Sequence, residues 1–138
     1  IGTPHIAGYS LDGKIAGLLM IYNAVCEYFS LEPEFGIDDF LPEPAVPKLT
    51  IDADLGGEQR ALLHAVHEVY NVTADDAALR GVLDRPVRER GGFFDGLRKN
   101  YPIRREFHNT RVSVKGGGGS LAAKLAGIGF NVKPEIRK

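Results

Sequence analysis

Apolar residues recur at Leu11, Ile15, Leu18, Tyr22, Val25 and Phe29, spacings of four and three that place them on one side of a helix over residues 11–30. Leu19 and Cys26 widen the stripe, so the helix is expected to be buried along much of that side. It therefore needs a partner surface, in the C-terminal half of the chain or on a second copy. Ser10 stands where an N-cap would, and Asp12 suits the positive end of the helix dipole.

The periodicity breaks over residues 31–47. Pro33, Pro42, Pro44 and Pro47 stand among Glu32, Glu34, Asp38, Asp39 and Glu43, which excludes regular helix and favours an extended, semi-rigid arm. Phe35, Ile37, Phe40 and Leu41 predict that the arm docks on a surface. It is the candidate domain boundary.

Alternation resumes at Lys48–Asp52, a predicted strand. Helical spacing follows at about 57–70 (Leu62, Leu63, Val66, Val69). Thr73 with Asp76 three residues on predicts a capping box for a helix to about Leu83. Pro86 opens another helix, carried by Phe93, Phe94, Leu97 and Tyr101 and stopped by Pro102. Residues 110–115 alternate again, and a short helix near 120–127 leads to a last strand around Phe130–Lys133. The expected fold class is α+β: a long N-terminal helix followed by a small antiparallel sheet with helices packed on one face.

With 138 residues, 43% hydrophobic and 25% charged, the chain fits one domain or one small domain with an appendage. A net charge of −1 gives no electrostatic case for nucleic acid or an anionic membrane. The single cysteine, Cys26, falls on the apolar stripe as a small core residue, excludes an internal disulfide, and suits a reducing cytoplasm. No apolar run approaches the roughly 18 residues of a membrane span. The chain begins at Ile1 inside a motif, as a strand end running into a turn, and reads as part of a larger protein.

The chemistry is concentrated in that opening motif. Thr3-Pro4-His5-Ile6-Ala7-Gly8, followed by an amphipathic helix, resembles the catalytic-histidine loop of the D-isomer-specific 2-hydroxyacid dehydrogenases. Oxidising a secondary alcohol needs a base for the hydroxyl proton while hydride leaves, and imidazole is the side chain best poised for this near neutral pH. The extension Gly8-Tyr9-Ser10-Leu11-Asp12-Gly13-Lys14 is similar to a member of that family acting on a small phosphorylated 2-hydroxy acid. Two later blocks, Phe94–Pro102 with Arg104-Arg105-Glu106, and Leu125–Phe130, resemble the C-terminal dimerisation domain which that member carries in addition.

The resemblance implies His5 as the proton-transfer residue, Gly8 as a contact of the cofactor NAD, and Tyr9 as a substrate contact. It divides the chain into 1–30, the histidine loop and last helix of the nucleotide-binding region; 31–47, the connecting arm; and 48–138, a dimerisation domain of a cytoplasmic homodimer. The Gly-x-Gly-x-x-Gly fingerprint for a dinucleotide does not occur in these residues. The family's substrate-binding arginine and the glutamate that orients the histidine are expected upstream. The residues by themselves are expected to bind no cofactor and to catalyse nothing, and the competing reading is a stand-alone dimerisation module.

Other candidates have plainer readings. His64 and His67 beside Glu68 sit on one predicted helix with no third ligand evident, so a solvated face is expected and no metal site. Arg85, Arg88, Arg90, Arg98, Lys99, Arg104 and Arg105 are interleaved with Glu89, Asp95 and Glu106, as a solvated or ion-paired face would be, with an inter-subunit role for Arg104 and Arg105 as the minority view. His108 reads as a polar loop residue. Gly116–Ser120 lacks the lysine of a phosphate loop; it reads as a flexible turn whose monotony resembles an engineered linker.

Overall fold

The computed structural model describes residues 1–6, 8–54, 56–116 and 119–133. After an irregular opening segment comes α1 (Leu11–Phe29), then an extended arm with one 3-10 turn at Ile37–Asp39. Strand β1 (Lys48–Asp52) is followed by α2 (Glu58–Val69), α3 (Val72–Arg80) and α4 (Val87–Lys99). A second 3-10 turn at Phe107–Asn109 leads to β2 (Arg111–Lys115), α5 (Gly119–Gly127) and β3 (Asn131–Lys133).

The three strands pair in the order β1-β2-β3, and both pairings are parallel. The expected antiparallel sheet is thus overturned. Alternating strands with one buried side usually belong to antiparallel sheets, but the connections decide the direction here. Parallel neighbours need a crossover of about a dozen residues or more, and both connections are of that kind: β1 reaches β2 through α2, α3 and α4, and β2 reaches β3 through α5. Gly129, at φ +106, turns the chain from α5 into β3, a conformation that strains any residue with a Cβ.

Helices α2 and α5 touch each other and lie on β1 and β3. Ile51, Val112 and Val114 project from the sheet onto Ala61 and Ala65 of α2 and Leu121 and Leu125 of α5, with Phe130 closing one end. Phe130 stacks on Phe107 at 4.6 Å between ring centroids. The small alanines of α2 let its backbone come close to the strands. In register on the opposite side stand Thr50, Ser113 and Lys133, all exposed, so the alternation has its meaning even though the strands run in parallel.

Helix α1 behaves differently from its sequence pattern. Within it only Asp12 and Cys26 are buried, and the expected apolar side is open, with Leu18 60% and Phe29 64% exposed. The arm docks on part of it: the Phe35 ring lies 6.1 Å from Tyr22, the Tyr22 hydroxyl accepts from the Glu34 N–H at 2.9 Å, and the Phe35 and Phe40 rings meet at a tilt, 5.9 Å between centroids. Ser10 caps α1 as expected, its Oγ accepting from the Gly13 N–H at 3.1 Å. Thr73 does not cap α3. Asn71 does, accepting from the Ala74 N–H, because the helix already starts at Val72 and Thr73 lies inside its first turn, where its hydroxyl donates to the same Asn71 Oδ1.

Candidate active site

The opening segment presents His5 outward by burying its neighbours. Pro4 and Ser10 are fully buried and Ile6 is 2% exposed, while His5 itself is exposed. His5 takes φ +58, a left-handed conformation uncommon outside glycine, with its N–H donating to the Thr3 carbonyl at 2.8 Å. Such a conformation persists only where the surroundings over-determine it. The Tyr9 N–H donates to the Ile6 carbonyl at 3.0 Å and closes the turn. Gly8 stands at φ +70 with nothing within 4 Å of where a Cβ would lie, so the need for glycine shown by this chain is conformational, and the backbone there is open to a ligand.

The C-terminal unit holds this segment at several points. The Gly2 N–H donates to Asp76 Oδ1 at 2.7 Å, and Asp76 is itself gripped by Arg80 at 2.8 and 3.2 Å. Hydrogen bonding to Arg80 first, and to Gly2 second, holds the Asp76 carboxyl down at about 2. Tyr9, half-buried, meets Tyr101 edge-on at 6.1 Å, with Lys14 Nζ 3.8 Å from its ring centroid and the Arg98 guanidinium 6.0 Å away. Tyr101 donates to Asp75 Oδ2 at 2.8 Å, and burial, then the bond to Asp75, push its phenol well above the usual range. The Leu11 N–H donates to the Arg104 carbonyl at 2.9 Å.

One residue further on lies the strongest of these contacts. Arg105 donates to both oxygens of Asp12, from Nε at 2.9 Å and Nη2 at 3.2 Å, and the side chains are 9% and 6% exposed. Asp12 also accepts from the Glu106 N–H at 3.0 Å and Asn109 Nδ2 at 2.8 Å, and His108 Nε2 stands 3.7 Å away. Burial opposes ionisation of Asp12, but the bonds from Arg105, Asn109 and Glu106 outweigh it and hold the carboxyl at about 2. Arg105 further donates to the Pro42 carbonyl of the arm and to Asn109 Oδ1.

Residues 40–129 match the family described as "Domain of unknown function (DUF3410)". The chain belongs to that family. It is also similar to proteins named erythronate-4-phosphate dehydrogenase. The one from Marinobacter nauticus is 41% identical over 133 residues, covering 96% of this chain and 34% of the relative. That of Cellvibrio japonicus is 39% identical over 133 residues (94% and 35%), and that of Pseudoalteromonas translucida 41% over 128 residues (93% and 31%). The chain spans about a third of the length of the curated relatives it matches.

In this DUF3410 chain the three residues singled out from the sequence, His5, Gly8 and Tyr9, do lie together on one short loop. Among the described residues, no ion pair or side-chain hydrogen bond involves the His5 ring. His64 and His67 fall on α2, where His64 Nδ1 meets Glu68 Oε1 at 3.7 Å on an exposed face. Among the described residues, no group of three or more His, Cys, Asp or Glu side chains could hold a metal, and no helix is long and apolar enough to cross a membrane. Gly117 and Gly118 of the glycine run lie outside the described residues.

The basic stretch is less uniform than its composition implies. Arg88 lies in solvent against Glu89, Arg85 covers the Phe93 ring, Arg104 covers Tyr70, and Arg105 is buried on Asp12. Within the chain, Nε, Nη1 and Nη2 of Arg105 all have partners. Sequence reasoning missed Asp12 and Arg105 as partners. The only local signal was an acidic residue in the first turn of a helix, which the helix dipole already explained.

Proposed function

We propose that this chain is the C-terminal part of an NAD-dependent 4-phosphoerythronate dehydrogenase, a homodimeric enzyme of pyridoxal 5′-phosphate (vitamin B6) synthesis in the cytoplasm. The observation that carries the proposal is the His5 loop: an exposed imidazole in a strained, left-handed conformation, framed by buried Pro4 and Ile6, beside an open glycine. Likeness over nearly the whole chain to proteins named erythronate-4-phosphate dehydrogenase supports the substrate.

The residues present fit one edge of the cofactor site. The uncovered Gly8 backbone leaves room for a bound nicotinamide nucleotide beside His5, while the fingerprint that cradles a pyrophosphate is not in these residues. A nicotinamide nucleotide held beside this loop would supply the acceptor for the hydride from the carbinol carbon. His5 takes the hydroxyl proton on a ring nitrogen as that C–H bond breaks, so charge does not build up on the alcohol oxygen. In this reading Tyr9, four residues after His5, contacts the substrate, and Lys14 over its ring adds a positive charge suited to a phosphorylated acid.

The test is NAD reduction with 4-phosphoerythronate by the protein that carries this chain together with the remaining length of its relatives. His5→Ala is expected to lower turnover by about 10²- to 10⁴-fold, the range for losing a general base. Normal turnover by that variant would sink the assignment.

A second reading concerns these 138 residues by themselves, as a dimerisation module. Met20, Ile21, Val25, Tyr28 and Phe29 leave a contiguous apolar surface on α1, of the kind that marks an interface. A strict monomer by light scattering at high concentration would count against it.

A further inference from the structure

We propose that the buried Asp12–Arg105 pair is a positioning device for His5, so that the C-terminal unit sets the place of the imidazole in addition to any part in pairing subunits. The proposal rests on the reading of His5 as the proton acceptor.

Arg105 is the common point of three segments. Its guanidinium grips the carboxylate at the start of α1, the Pro42 carbonyl of the arm, and the Asn109 side chain beside β2. Asp12 in turn collects Arg105, Asn109 and the Glu106 N–H. Between Asp12 and the loop several described residues are tied down: Leu11 is bonded to the Arg104 carbonyl, Ser10 is buried as the cap, and the Tyr9 N–H closes on Ile6. A shift at the start of α1 is therefore passed to the loop.

Other grips on the loop are of a weaker kind. The Gly2–Asp76 bond lies before His5, and the Asp76–Arg80 pair that supports it stands largely in solvent on the Arg80 side, where ion pairs hold geometry poorly. The Tyr9–Tyr101 contact is an edge-on ring contact. Among the described residues, only Asp12–Arg105 joins two buried opposite charges, where leaving either unpaired is costly and where the two-nitrogen fork fixes direction as well as distance. Neither residue belongs to the core built on Ile51, Val112, Leu121 and Leu125. Loosening the pair therefore loosens the loop before it opens the core. His5 in turn needs such support, since its φ of +58 is not one it would keep unaided.

The experiment uses the protein carrying this chain with the remaining length of its relatives, as wild type, Arg105→Met, Arg105→Lys, Asp12→Asn and His5→Ala. Turnover of 4-phosphoerythronate with NAD is measured with protium or deuterium on the carbinol carbon, at a temperature where melting curves show each variant folded. A catalytic group displaced by about 1 Å loses up to roughly a hundredfold, so Arg105→Met is expected to lower kcat by about ten- to a hundredfold, with KM for NAD changing less than about twofold. The deuterium isotope effect on kcat should rise as hydride transfer becomes limiting. Arg105→Lys, which keeps the charge and loses the fork, should fall between.

If Arg105→Met does not fold, Arg105→Lys and Asp12→Asn carry the same comparison. Folded Arg105 and Asp12 variants with wild-type kcat and isotope effect, beside an inactive His5→Ala, would overturn the positioning role and leave the reading of His5 standing. An active His5→Ala would overturn both.

Discussion

Residues 11–29 and residues 48–133 both carry apolar side chains at regular spacing, yet only the second set is closed over within this chain. In the sheet unit, Ile51, Ala61, Ala65, Val112, Leu121 and Leu125 are all at most 2% exposed and meet one another. Along α1, Leu18, Met20, Ile21, Val25 and Phe29 face outward, and only Cys26 of the apolar residues is buried. The same kind of periodicity thus has two uses. In the sheet unit it specifies a core; on α1 it leaves an apolar surface open among the described residues. The His5 loop sits at the border, attached to α1 and held by the sheet unit.

That contrast can be broken most forcefully at the border. Arg105→Met would leave the Asp12 carboxylate buried without its partner, which costs about 3–5 kcal/mol where such pairs have been cut. Urea unfolding should show that loss, with Arg105→Lys losing less. Inside the sheet unit, Leu125→Ala removes a fully buried side chain between α5 and the strands and should cost about 3 kcal/mol.

Acid offers a gentler cut at the same border. Asp12 is held at about 2, below its ordinary value of 3.8. A carboxylate whose pKa is lowered by folding contributes its stability in full above the unfolded value and loses it as pH falls through the folded one. Stability should therefore drop by roughly 2 kcal/mol between about pH 4 and pH 2, and Asp12→Asn should flatten that slope in urea titrations at stepped pH. Asp76, also held at about 2, lies nearer solvent and adds little to it. The smallest effect belongs to α1: Met20→Ser, at a position 74% exposed, should change unfolding stability by less than about 0.5 kcal/mol while weakening self-association in light scattering.

Legibility from sequence followed the range of the interaction. The strand Lys48–Asp52 and the helix ends near Phe29 and Val69 could be read within a residue or two, because alternation, caps and prolines act locally. The direction of strand pairing could not, since alternation in β1 and β2 is the same whichever way they run. The candidate residues His5, Gly8 and Tyr9 could be singled out because they fall within one five-residue stretch of a motif. Their supports could not: Asp12 and Arg105 lie 93 residues apart, and nothing near either one names the other. Asn71 took the cap from Thr73 through a shift of two residues that composition does not resolve.

Amide hydrogen exchange tests the division between the two regions most directly, comparing these 138 residues, diluted until monomeric, with the longer protein. Amides of β1, β2, α2 and α5 should exchange equally slowly in both, because their core is complete in this chain, while those of α1 and the His5 loop should slow markedly in the longer protein. Equal protection of α1 in the two samples would contradict the account, for the open apolar side of that helix would then have nothing to complete it.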